Sequence, residues 1–372
     1  MAAPELSTLA AVPFHFWSFT FFVFGCIVGS FLNVCIHRMP LGQSVVSPPS
    51  HCPHCQYQIP GYLNIPLATW LWLRGKCANC AAPISPRYFA VELLTGLTFL
   101  ATWLHFGAQS ISSPTGFAAP IIYCVLLSGF IVATFIDFEH FIIPDEITLG
   151  GIAAGVVLSG LCPEIHGGEK AADGLKAAAI GAAVGGGLIY GILRLGKLLF
   201  GQERVALPEN SVVTFTESEL LLPTGPVSYE ELFYRQTDTV VFRATRLEMV
   251  DRSYWNVEVR LSPTKLRVGT DEFDPSTVHH MEAVTSALVL PREAMGFGDV
   301  KFMAAIGAFL GWPAVVFSLM VSAIIGSVVG VSLIVCGRRE WSSRLPYGPY
   351  IALAAVIWLF GRGNIVNWLM AR

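Results

Sequence analysis

Residues 117–145 read FAAPIIYCVLLSGFIVATFIDFEHFIIPD. From Phe117 to Ile136 there is no charged side chain, and at 1.5 Å per residue such a run spans the roughly 30 Å hydrocarbon core of a bilayer. The stretch therefore reads as a membrane-crossing helix, and it closes on two acids, Asp137 and Glu139. Acids at the edge of a span are costly, so their presence is informative. Working outward, comparable apolar stretches lie at 17–36, 88–106, 141–161, 175–200, 297–312, 313–336 and 347–369. Together they predict an all-α polytopic membrane protein of about eight transmembrane helices. The first lacks a basic leader region and a small-residue cleavage site, so it reads as a span and not as a signal peptide.

Charge is distributed to match. The chain of 372 residues is 53% hydrophobic and only 13% charged, about half the charged fraction of an ordinary soluble domain. Residues 201–293 alone hold 24 of the 49 charged residues, as expected of one water-soluble insert in a membrane bundle. A net charge of -3 gives no footprint for nucleic acid, which is excluded as a partner. Arg38, Arg74, Lys76 and Arg87 follow the first span, Arg194, Lys197 and Arg204 follow the fifth, and Arg338, Arg339 and Arg344 separate the last two. The positive-inside rule makes these three segments cytoplasmic. The expected segments are a first span in 1–36, a cytoplasmic loop at 37–87, four spans in 88–200, a β-rich cytoplasmic insert at 201–293 and three spans in 294–372. Glycine pairs at small-xxx-small spacing, Gly25/Gly29, Gly151/Gly155, Gly181/Gly185 and Gly326/Gly330, point to close helix packing.

The loop at 37–87 contains Cys52-Pro-His-Cys55 and, with 21 residues between, Cys77-Ala-Asn-Cys80. Two C-x2-C knuckles suit one tetrahedral zinc ion with four thiolate ligands. Two disulfides are the rival, disfavoured in a reducing compartment. His51 and His54 read as neighbours of the knuckle, because four sulfurs already fill the shell.

Two segments far apart in sequence bring an aspartate to one predicted membrane face. Asp137 ends the third span, with Ile143-Pro144-Asp145 just beyond it, and Gly296-Phe297-Gly298-Asp299-Val300-Lys301 opens the sixth. Two carboxylates a few ångströms apart cannot both ionise, so one holds a proton while the other accepts one from water. Such a pair is an acid and a base in one site, able to add water across a peptide bond. Gly296 and Gly298 would let a substrate backbone approach closely. Buried aspartates also serve ion-coupled transporters, and at this point both readings stand. A transporter would place its carboxylates near the midplane on broken helices in repeated halves.

The residues also carry a resemblance. GFGDVKFMAAIGAFLGW at 296–312 together with IDFEHFIIPD at 136–145 resembles the bacterial type IV prepilin peptidases, which belong to the GxGD membrane aspartic proteases. The segment GSFLNVCIHRMP at 29–40, the two cysteine pairs, Ser85-Pro-Arg-Tyr88 with Glu92, and Pro346-Tyr-Gly-Pro-Tyr350 are similar to the same family, in the same order. The resemblance implies an enzyme of the bacterial inner membrane that removes the leader of type IV prepilins or type II secretion pseudopilins after a glycine, on the cytoplasmic side. It also implies N-methylation of the new N-terminus from S-adenosylmethionine. It makes Asp137 and Asp299 catalytic, and Asp145, Gly296, Gly298 and Lys301 supporting. It makes the cysteine loop the mark of the methyltransferase, with Gly75 and Lys76 as candidates to contact anionic parts of cofactor or substrate. A peptidase whose cysteine loop is purely structural is the variant reading.

Two features depart from the pattern: Tyr347 stands where phenylalanine is common, and the segment before Gly296 is about 90 residues long instead of short. Within that segment 212–216, 239–245 and 255–261 alternate apolar and polar residues, which predicts a small antiparallel β unit. It is expected to cover the site entrance or select substrates. His279 and His280 read as solvated loop residues.

Overall fold

The computed structural model describes residues 12–111, 117–223, 225–233, 236, 238–291, 296–337 and 345–370. Arg338, Arg339 and Arg344, used above to orient the chain, lie outside the described residues. The elements outside the insert are α1 (Phe14–Arg38), the short α2 (Ala68–Trp72), α3 (Pro86–Ile111), α4 (Ala118–His140), α5 (Asp145–Leu161) and α6 (Ala171–Phe200). After the insert, which contains the single-turn α7 (Tyr229–Leu232), come α8 (Phe297–Leu310), α9 (Trp312–Val335) and α10 (Gly348–Met370).

Each of the eight expected spans is a helix, but not each is long enough to cross a bilayer alone. Among the described residues five helices have the length and apolarity to do so, namely α1, α3, α4, α6 and α9. The chain is thus a multi-pass membrane protein. Helices α5 and α8 have 17 and 14 residues, short of the 20 or so a span needs, so length and apolarity alone carry five crossings and not the expected eight.

Helix α8 is buried at every residue from Asp299 to Leu310 apart from the partly covered Lys301, as a helix apolar all round should be. Glycines make this possible. A Cβ at Gly155 of α5 would lie 2.8 Å from the Ala308 methyl, and one at Gly181 of α6 only 2.0 Å from the Gly307 carbonyl oxygen. Two stripes of small residues therefore bring α5 and α6 into backbone contact with α8. A third seam joins α1 to α3, where a Cβ at Gly25 would meet the Gly96 Cα at 2.9 Å.

Residues 190–296 form a separate compact unit. It holds an eight-stranded antiparallel sheet in the order β3-β2-β1-β8-β4-β5-β6-β7. The strands are β1 (Gln202–Phe215), β2 (Glu219–Leu222), β3 (Gly225–Ser228), β4 (Val240–Met249), β5 (Ser253–Ser262), β6 (Lys265–Val268), β7 (Asp271–Phe273) and β8 (Met281–Pro291). One face buries Val213, Phe215, Leu220, Phe242, Leu247, Val259, Leu266, Met281 and Leu288, with Phe215 stacked on Phe242 at 5.2 Å. The register of β1 against β8 shifts between Ala206 and Ser211, where Pro208 has no amide to give the ladder. Lys197 of α6 meets the buried Asp238 at 2.5 Å.

Candidate active site

Asp137 occupies the last turn of α4, which stops because Phe141 turns left-handed and returns its amide to the Asp137 carbonyl. The Asp137 side chain is 5% exposed. Its Oδ2 accepts a hydrogen bond of 2.9 Å from the backbone amide of Gly348, the first residue of α10. Asp299 lies in the first turn of α8 and is 8% exposed. Tyr347, the residue before Gly348, has its hydroxyl 2.9 Å from Ser322 Oγ of α9.

Ile143 completes the junction. Positions built at Cβ of Gly298 and Gly348 lie 3.4 Å and 3.0 Å from its side chain. The stretch that follows Asp137 thus packs against the residue before Asp299 and against the donor to Asp137. One residue further, Pro144 caps α5 and Asp145 opens it. Asp145 Oδ1 pairs with Lys301 Nζ at 2.5 Å, and the same ammonium lies 5.2 Å from the centre of the Phe297 ring. This pair ties the start of α5 to the start of α8. Gly296 precedes α8 and is exposed.

The cysteine loop joins the bundle at the same end. Arg87, in the first turn of α3, forms an ion pair with Glu139, two residues beyond Asp137. The amide of Leu67, held at a strained φ of +60°, donates to Glu92 Oε2 at 2.7 Å. Arg38 is buried and donates to the carbonyls of Ser44 and Pro48. Asn33 donates to the Tyr88 carbonyl. The polar residues at 33, 38, 87 and 92 thus secure the loop to α1, α3 and α4.

Within the loop the sulfurs of Cys52, Cys55, Cys77 and Cys80 all lie within 4.8 Å of one another. Cys52 and Cys80 are 3.8 Å apart, and Cys55 and Cys77 3.9 Å. A tetrahedron with Zn–S bonds of about 2.3 Å has edges of about 3.8 Å, so the four thiols fit a zinc ion and none is within disulfide distance. The knuckles repeat one fold. Gln56 and Ala81 both have φ near +55° and return their amides to the Cys52 and Cys77 carbonyls. Hydrogen bonds from the Tyr57 backbone and the Asn79 side chain hold the Cys55 thiol down at about 6, which favours the thiolate a metal requires. His51 is exposed and turned to the Pro49 carbonyl.

Gly75 has a left-handed φ of +65° and packs on Trp70, whose ring atoms a Cβ would meet at 2.9 Å. Its glycine character is explained by that turn. Lys76 is exposed, and its backbone pairs with Pro83. The residue sequence reasoning missed is Gly348, as the amide donor to Asp137. Its signal was present in Pro346-Tyr-Gly-Pro-Tyr350, which no elementary rule assigns to a carboxylate 211 positions away.

Comparison with known proteins adds to this. Residues 23–106 match the Bacterial Peptidase A24 N-terminal domain, and residues 124–204 and 277–331 match the Type IV leader peptidase family. The gap in the second match covers most of the β insert. The chain is 27% identical over an alignment of 383 positions to the prepilin leader peptidase/N-methyltransferase of Aeromonas hydrophila, covering 96% of this chain and 95% of that protein. A protein of the same name from Myxococcus xanthus is 43% identical over 164 residues, 44% of each chain. No solved structure matches. Matched in both its halves, in chain order and along nearly its whole length, the chain belongs to the type IV leader peptidase family.

Proposed function

We propose that the chain is a bifunctional enzyme of the bacterial inner membrane. It removes the leader of type IV prepilins or type II secretion pseudopilins at the cytoplasmic face and then methylates the exposed amine. The observation that supports the peptidase half is that Ile143 packs against both Gly348, the amide donor to Asp137, and Gly298, the residue before Asp299, with both carboxylates buried. One carboxylate accepts a proton from water while the other, protonated, donates to the carbonyl oxygen of the scissile bond. Addition of the hydroxide gives a tetrahedral centre, which collapses as the nitrogen takes up a proton. The Gly348 amide fixes the orientation of Asp137 through this cycle. The Asp145–Lys301 pair holds α5 against α8 and so keeps Ile143 packed against Gly298 and Gly348. The cytoplasmic assignment is supported by Arg74, Lys76 and Arg87 in the loop that the Arg87–Glu139 pair joins to the aspartate end.

The methylation half rests on the names of the relatives. S-adenosylmethionine supplies the methyl group in such a transfer. Lys76 fits as an exposed cation for an anionic part of cofactor or substrate, whereas Gly75 is taken up by Trp70. We assign the four cysteines a structural zinc that holds this loop in shape.

The test is leader removal from a prepilin by the purified full-length protein. Asp137→Asn and Asp299→Asn should each lower the cleavage rate by about a hundredfold or more, the scale of a lost general acid or base, with an unchanged melting temperature. Cleavage retained in either variant overturns the assignment.

A further inference from the structure

A cavity of about 450 Å³ lies at the end of the bundle opposite the two aspartates. Asp299 starts α8, and the cavity is walled by Leu310 and Gly311 at the other end of that helix, about 17 Å away along its axis. Along α10, Gly348 touches Asp137, while Trp358 and Arg362, which line the cavity, are about three and four turns further on. Its volume is that of a small-ligand pocket, about 300–1,000 Å³.

The charge of the cavity is biased toward one sign. Arg362 and Lys176 both line it, and neither has an ion-pair partner among the described residues. The only hydrogen bond of Arg362 among the described residues is a long one, 3.5 Å, to the Ile165 carbonyl. The N-terminus of α9 opens here, with Gly311 at φ +79° as its cap and no side chain capping its amides, so a 24-residue helix adds its positive end. Against these stands one acid, Asp173, which accepts from the Lys170 amide. Burial holds the His166 imidazole below its ordinary pKa, so it counts as a neutral hydrogen-bonding group.

A second feature identifies what carries the anion. From Trp312 at the cavity rim an exposed apolar stripe runs down α9 at helical spacing through Val316, Met320, Ile324 and Val328. Tryptophan at the rim of an apolar belt is the side chain of a bilayer interface. A free phosphate would use the cations and leave this stripe unused. The geometry points to a glycerophospholipid with a net negative headgroup, its phosphate between Arg362, Lys176 and the α9 amides and an acyl chain along the α9 stripe. This inference does not depend on the peptidase reading.

The experiment titrates delipidated full-length protein in detergent with dioleoyl phosphatidylglycerol, dioleoyl phosphatidylcholine or inorganic phosphate. It reads bound lipid by native mass spectrometry and stability by the melting temperature. The expected result is one phosphatidylglycerol retained per chain and a raised melting temperature. Affinity should fall about tenfold in Arg362→Gln and again in the double variant with Lys176→Gln, each the equivalent of one charge-assisted hydrogen bond. Lys265→Gln, in the insert, should bind as the parent does. Should Arg362→Gln fail to fold, Lys176→Gln, whose side chain is exposed, decides alone. Equal affinity in the variants, equal retention of phosphatidylcholine, or the same protection by inorganic phosphate would each overturn the assignment.

Discussion

A methyl group at position 348 would lie 2.8 Å from an oxygen of Asp137, and the carboxylate would have to turn away from the amide that holds it. Gly348→Ala should therefore lower the cleavage rate by about tenfold or more, since one misplaced hydrogen bond at a reacting group is worth that much, with substrate KM largely kept. Tyr347→Phe is the opposite case. The phenol bonds Ser322, so the change should cost about 1 kcal/mol of stability, read as a small fall in melting temperature, and leave cleavage near the parental rate. At this scale Asp137 and Asp299 stand out in the sequence as charge beside an apolar run, while Asp145 and Lys301 were singled out through the family resemblance; the structure pairs the latter two with each other. Gly348 was not legible, because its contribution is a backbone N–H, which every residue but proline has, and only the fold shows where it points.

Among elements, the contact of α8 with α5 and α6 fixes where the first turn of α8, with Asp299, lies. The Gly181 and Gly307 backbones approach so closely that any side chain strikes a carbonyl. Gly307→Val should destabilise by about 2–3 kcal/mol or more through overpacking and remove cleavage together with stability, measured by thermal unfolding in detergent. Lys301→Met should behave differently. Its partner Asp145 is 59% exposed, and such pairs contribute under about 1 kcal/mol. The expected outcome is a nearly unchanged melting temperature with a clearly reduced kcat. The long helices were readable from apolar length alone. The sheet was less so: β1, β4 and β5 contain the alternating stretches, but β2, β3, β6 and β7 are three or four residues long, too short to show a period. Strand β8 was not among the alternating stretches singled out, although it pairs with both β1 and β4 at the middle of the sheet; its Thr285, a polar residue at a buried position, satisfies its hydroxyl on the Arg243 carbonyl.

For the whole molecule, two activities are proposed to share one end of one bundle, coupled through the fittings at Arg38, Arg87 and Glu92. Removing the metal should separate them. Cys52→Ser or Cys77→Ser is expected to abolish zinc binding, measured by elemental analysis, and to reduce methylation more than cleavage. Equal loss of both would assign the loop a general folding role. The arrangement of the four thiols was readable from spacing, since two knuckles offer few other geometries, whereas Leu67 reaching Glu92 was not. The short central helix has one more consequence. Fourteen residues rise about 21 Å, some 9 Å less than the oily slab they are embedded in. At least one tip of that rod is recessed below the headgroups, whichever way the protein is inserted. The water consumed in each turnover must then arrive through a notch in the slab, and agents that thicken or fluidise the surrounding lipid should change the supply of reactant before they change the chemistry.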